Sequence, residues 1–195
     1  STSSAVEQLI SIAPDLNAWR IEFALVSITL ITVANLRGLR ESGNIFAVPT
    51  YLFVSLALLI VGIGAVRIVT GQVVPMPPQE EAMELGTEAI GLLLLFKAFA
   101  SGSVALTGTE AIANGVPAFK PPEAKNAANT LVVMAVLLAV LFIGITVIAS
   151  AYQIVPSEEG SGGPTVIALV AQTAFGAGSP LYYVFQVSTA LILFL

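Results

Sequence analysis

Thr107-Gly108-Thr109-Glu110 has the form of a capping box. In that motif a Thr hydroxyl accepts from the amide three residues on, and the Glu carboxylate reaches back to the Thr amide. Capping boxes start helices, yet this one lies in ALTGTEAIANG, residues 105–115, within a long apolar run. Running into it, SGSVALTGT gathers Ser101, Gly102, Ser103, Thr107, Gly108 and Thr109 within nine positions. A helix interrupted at such a place presents unpaired carbonyls from one half and unpaired amides from the other. In hydrocarbon each orphan group costs several kcal/mol, so the gap must be buried in protein or line a watery cavity. The two ends carry opposite partial charges of about half an elementary charge. The carbonyl end suits a cation, and the amide end suits an anion such as a carboxylate. Small residues in the same pattern also allow close helix packing, and that reading stays open at this point.

Composition limits the other chemistries. The chain has no Cys and no His, is 56% hydrophobic and only 10% charged. That removes disulfides, thiolate metal sites and the commonest general base, so no catalytic residue and no metal ligand is assigned and an enzyme is not expected. No cofactor is expected beyond a transported or coupling ion such as H+ or K+. A net charge of −5 argues against nucleic acid. So few charges cannot cover a water-facing surface, and the lipid bilayer is the expected main partner. The start, STSSAVEQLISIAPDL, has no basic n-region and does not read as a signal peptide.

The elements that must hold the motif follow from apolar runs of about 20 residues. Spans are expected over 19–36, 46–68, 86–119, 130–154 and 181–195. As one helix 86–119 would be roughly 50 Å long, too much for one crossing, so it is expected to be broken. Gly102 is placed at the end of the first half in the left-handed conformation, with Thr107 opening the second half and Gly115 and Pro117 closing it. The run at 181–195 ends without a polar exit, and Ser1 is no natural start. The chain therefore reads as a piece of a longer membrane protein. Pro164–Phe175, short and apolar on one face, is expected to lie on the outer surface, with Tyr182 and Tyr183 at the outer interface. Pro49 is expected in the first turn of the second span.

Sidedness follows from the basic residues. Arg37 and Arg40 follow the first span and Lys120 and Lys125 the third, an even number of crossings apart. Both loops are read as cytoplasmic, with the intervening Glu80, Glu81, Glu84, Glu88, Glu158 and Glu159 clusters outside. Arg20 and Arg67 oppose this assignment, and snorkelling to the interface explains them. The localisation expected is the plasma membrane, multi-pass.

The stretches NLRGLRESGNIFAVPTYLF (35–53), FASGSVALTGTEAIANGVPAFKPPEAKNAANTL (99–131) and PTVIALVAQTAFGAGSPLYYVFQVSTALIL (164–193) resemble the amino acid–polyamine–organocation (APC) superfamily of transporters. They match best its amino acid permease-like branch, which includes high-affinity bacterial potassium–proton importers. The resemblance implies an all-α integral membrane protein with a LeuT-like inverted-repeat fold, present here in part. About five helices would be covered, from the end of helix three into helix eight, with the broken helix six included and helix one absent. It implies a single membrane domain and a function in secondary active transport. Proton-coupled uptake of an amino acid or of potassium is the expected activity. A passive ion channel and a non-transporting membrane sensor or scaffold remain as alternatives. The partners implied are a small-molecule or cation substrate and, as one assembly, a homodimer.

Carried onto this sequence, Val104–Glu110 aligns with the family's unwound segment. Substrate or ion contact is expected from Ser103, Ala105, Thr107, Gly108 and Thr109, with Thr107 foremost. Glu110 is either a proton-coupling carboxylate or a structural cap for the half-helix amides. Lys97 either lines a vestibule or snorkels outward, and Asn114 either faces the inner pathway or helps to end the helix.

Overall fold

An apolar chain satisfies its backbone polar groups most completely as helix, because every interior N–H finds a carbonyl four residues back. The computed structural model describes residues 2–36, 43–77, 91–103, 107–157 and 161–194. Its α-helices are α1 (Thr2–Ile10), α2 (Arg20–Leu36), α3 (Gly43–Val69), α4 (Leu92–Ser103), α5 (Thr107–Asn114), α6 (Glu123–Ala151), α7 (Val166–Phe175) and α8 (Pro180–Phe194). Tight 3-10 turns at Pro14–Trp19 and Val116–Ala118 join some of them. The chain divides into two compact units, Ser1–Met83 with Ile143–Leu195, and Glu84–Phe142.

The first unit holds the core. α8 packs on α1 and α3, and α7 packs on α3 and α8, while α2 rests on α1. Phe185 of α8 is fully buried, and its ring stacks on Phe53 of α3 with centroids 5.6 Å apart. Ile60 of α3, Ile148 near the end of α6, and Leu169 and Val170 of α7 fill the rest. Two glycines allow α3 and the end of α6 to approach closely. A Cβ on Gly64 would fall inside the Ile148 side chain, and one on Gly144 would lie 2.6 Å from Val61. This is the small-residue packing that membrane helices use in place of a hydrophobic driving force.

The α1 helix was not anticipated from the sequence. Its Ala5, Val6 and Ile10 are buried, a helical spacing short enough to pass for an irregular entry segment. α3 also starts earlier than the expected span. Pro49 therefore lies inside the helix rather than in its first turn, and the carbonyl four residues before it lacks an intrahelical N–H.

Two helices, over Ala47–Val69 and Glu123–Ala151, are long and apolar enough to cross a membrane. α2 is shorter and largely exposed, with Leu30 at 65%. Its hydroxyls are silenced internally: Ser27, Thr29 and Thr32 donate to the carbonyls of Phe23, Leu25 and Ile28 at 2.7–2.8 Å. An apolar surface can thus carry hydroxyls without leaving a donor unmet.

In the second unit α4 is described to Ser103 and α5 from Thr107, and the middle of the expected unwound segment, residues 104–106, lies outside the described residues. Ser101–Ser103 belong to α4, and Gly102 is helical there rather than left-handed. A glycine inside a helix costs only about 1 kcal/mol relative to Ala, less than unpairing a backbone group in an apolar setting. Thr107–Glu110, expected within the unwound stretch, form the first turn of α5. α5 closes where the sequence suggested: the Gly115 amide donates to the carbonyls of Ala111 and Ile112, both at 3.1 Å. The chain then turns through Pro121-Pro122 and enters α6. Asn126 ties that entry by donating from Nδ2 to the Lys120 carbonyl at 2.8 Å.

Candidate functional site

Most of the residues singled out by the sequence lie at the end of α4 and in the first turn of α5. Ser103 is the last residue of α4, and its hydroxyl donates to the Phe99 carbonyl at 2.9 Å. Its oxygen keeps lone pairs available, because donating uses only the proton. Val104–Leu106 lie outside the described residues, and Ala105 with them. Thr107 opens α5, with Thr109 and Glu110 on the same first turn, and all three side chains are exposed. Glu110 places a carboxylate where the positive end of the α5 dipole favours a negative charge.

Gly108 is the contact residue of that turn. A Cβ there would stand 3.0 Å from the terminal methyl of Met134 on α6, so the backbone at this point lies close to the neighbouring helix. Asn114 ends α5 beside Gly115 and is exposed. Lys97 falls in the middle of α4, and its side chain lies outside the described residues.

Chemically, the first turn of α5 offers the hydroxyls of Thr107 and Thr109 and the Glu110 carboxylate beside the amide end of the helix. Such donors suit hard or weakly hydrated cations, not the soft metals that take thiolate or imidazole. Among the described residues no group of three His, Cys, Asp or Glu side chains comes together.

A second polar region, in the first unit, escaped the sequence reading. Gln8 and Gln186 are buried at 1% and 0% exposure, and Gln8 Nε2 donates to Gln186 Oε1. Gln186 Nε2 donates to the Tyr182 hydroxyl at 3.0 Å, and Gln172 Nε2 donates to the same oxygen at 3.4 Å. The Thr165 hydroxyl donates to Gln8 Oε1 at 2.8 Å, and the Thr165 amide donates to Ser11 Oγ at 3.0 Å. Ser188 and Thr189, also buried, donate back to the Phe185 carbonyl. The available signal was Gln186 within the apolar run 181–195, because a buried amide requires a partner; Gln8, in a polar stretch, gave none. Tyr182 also departs from expectation. Its side chain is buried at 4%, whereas neighbouring Tyr183 is 43% exposed. The hydrogen bonds to its hydroxyl hold it inward.

Arg67, expected to snorkel, instead caps a helix. Its guanidinium donates to the Thr173 carbonyl and, at 3.4 Å, to that of Ala174. A cavity of about 440 Å³ in the same unit is lined by Glu7, Asn17, Arg20 and Thr165 among others, and none of the sequence-derived site residues reaches it.

A family model described as amino acid permease matches residues 1–195. The chain belongs to the amino acid permease family. Across the same residues this permease chain is 42% identical to the potassium transporter KimA of Bacillus subtilis (strain 168). The match covers 100% of the chain and 31% of that relative, so the chain spans about a third of the relative's length. Membership accounts for a helical structure with membrane-capable helices. It also makes an all-α integral membrane protein the fold class, as the sequence suggested.

Proposed function

We propose that this chain is part of a secondary active transporter that takes up potassium with protons, and that the ends of α4 and α5 form half of its cation site. The observation that carries the choice of ion is the 42% identity, along the whole chain, to a relative named as a potassium transporter. The chemistry agrees with it. Potassium exchanges its hydration shell for a ring of neutral oxygens, as carbonyl-lined filters illustrate. The hydroxyls of Ser103, Thr107 and Thr109, with the backbone at Ala105 and Gly108, supply donors of that kind. Thr107 is the foremost contact, and Glu110 either couples the proton or caps the amides of the half-helix. The missing share of the site would come from the family's broken first helix, in a LeuT-like inverted repeat. In this reading α3 and α6 cross the plasma membrane, with the 37–40 and 120–125 loops on the cytoplasmic side.

An amino acid is the second reading. The family description favours it, and the amide end of α5 suits a substrate carboxylate.

The test uses the full-length protein in liposomes with a proton gradient directed inward. Accumulation of a rubidium tracer beyond equilibrium, abolished by a protonophore, is the expected result. Flux that only equilibrates the tracer would mean a channel. No flux of rubidium or of amino acids would mean a sensor or scaffold. Either outcome overturns the proposal.

A further inference from the structure

α7 is short, and a ten-residue helix is marginal unless its ends are tied. Both ends are tied by side chains from other helices. At the start, Thr165 caps the helix by accepting from the Ala168 amide at 3.3 Å. The same hydroxyl donates to Gln8 of α1, and the Thr165 amide donates to Ser11. Gln8 is in turn bridged to Gln186 of α8. At the other end the Gln172 carbonyl accepts from the Gly176 amide at 2.9 Å, with Gly176 at a φ of 85°. The next two carbonyls, of Thr173 and Ala174, are met by the Arg67 guanidinium from α3. A planar fork of donors matches two adjacent carbonyls, and its charge complements the negative end of the helix dipole. Between the two ends, Ala168, Leu169, Val170 and Ala171 are all buried, so the helix is enclosed on more than one face.

We infer that α7 is a strap fastened at both ends to α1, α3 and α8, with Arg67 and the Gln8–Gln186 bridge as the fasteners. The strap moves with those helices as one body and does not swing as a separate lid. This holds whatever the substrate, because it rests on the first unit alone.

Amide hydrogen exchange on the full-length protein, with and without potassium chloride, tests it. Residues 169–175 are expected to exchange as slowly as 185–190 of α8 under both conditions. In Arg67→Gln the amides of the last α7 turn should exchange at least tenfold faster, with α8 unchanged, and Arg67→Lys should restore part of the protection. In Gln8→Leu the acceleration should appear at the first α7 turn instead. Loop-like exchange of 169–175 in the unaltered protein, loss of their protection when potassium is added, or no change in Arg67→Gln would each overturn the inference. Should Arg67→Gln not accumulate, the unaltered protein and Gln8→Leu decide alone.

Discussion

Polar side chains occur in two very different settings in this chain. In the first unit, Gln8, Gln186, Tyr182 and Thr165 are inward-facing and bonded to one another, donor matched to acceptor. At the α4–α5 ends, Thr107, Thr109 and Glu110 are exposed on a helix start. A matched network spends its hydrogen-bonding capacity on the fold and fixes helix positions. The α5 turn differs in being exposed, so its side chains are open to an ion or substrate in a way the buried amides are not. Polarity within an apolar chain therefore does not identify a site by itself; exposure separates the two settings.

That contrast predicts a separation between stability and transport. The largest loss of stability should follow Phe185→Ala, about 3–5 kcal/mol, because it opens a cavity beneath Phe53 in the packed core. Thermal unfolding of the full-length protein in detergent measures it. Gly64→Val should cost about 1–3 kcal/mol in the same assay, because its Cβ would occupy the space of Ile148. Gln186→Leu should cost about 1–2 kcal/mol, leaving the Gln8 amide without its acceptor while the packing volume is kept. Thr165→Ala should cost about 1 kcal/mol through the lost cap of α7. A Gln186→Leu protein as stable as the original would break the comparison, since its network would then not be holding the helices.

Much of the fold was legible in the sequence, for a physical reason. Runs of apolar residues long enough to cross a bilayer have few alternatives to helix, and α2, α3 and α6 lie over such runs, α6 beginning at Glu123, before the expected 130. α5 was legible because its start and end are written in local residues, the Thr107–Glu110 box and Gly115. The extent of helix around Gly102 was not, because a weak local preference yields to backbone hydrogen bonding in an apolar setting. Arg67 and the glutamine bridge were hidden for another reason. Their partners lie far away in the chain, with 178 residues separating Gln8 from Gln186. No local pattern records such a pairing. Of the candidate site, the placement of Thr107, Gly108, Thr109 and Glu110 at a helix start was legible, because the capping box is local. Val104–Leu106, Ala105 included, lie outside the described residues.

The central claim is that the α5 turn holds the transported cation while the glutamine network only holds helices. The most direct measurement is the apparent KM for potassium of reconstituted Thr107→Val, taken together with its unfolding temperature. Replacing the hydroxyl by a methyl of similar volume should raise KM about tenfold, as expected for losing roughly 1.4 kcal/mol of binding, in a protein that still unfolds cooperatively. An unchanged KM would contradict the claim and return Thr107 to the role of a helix cap.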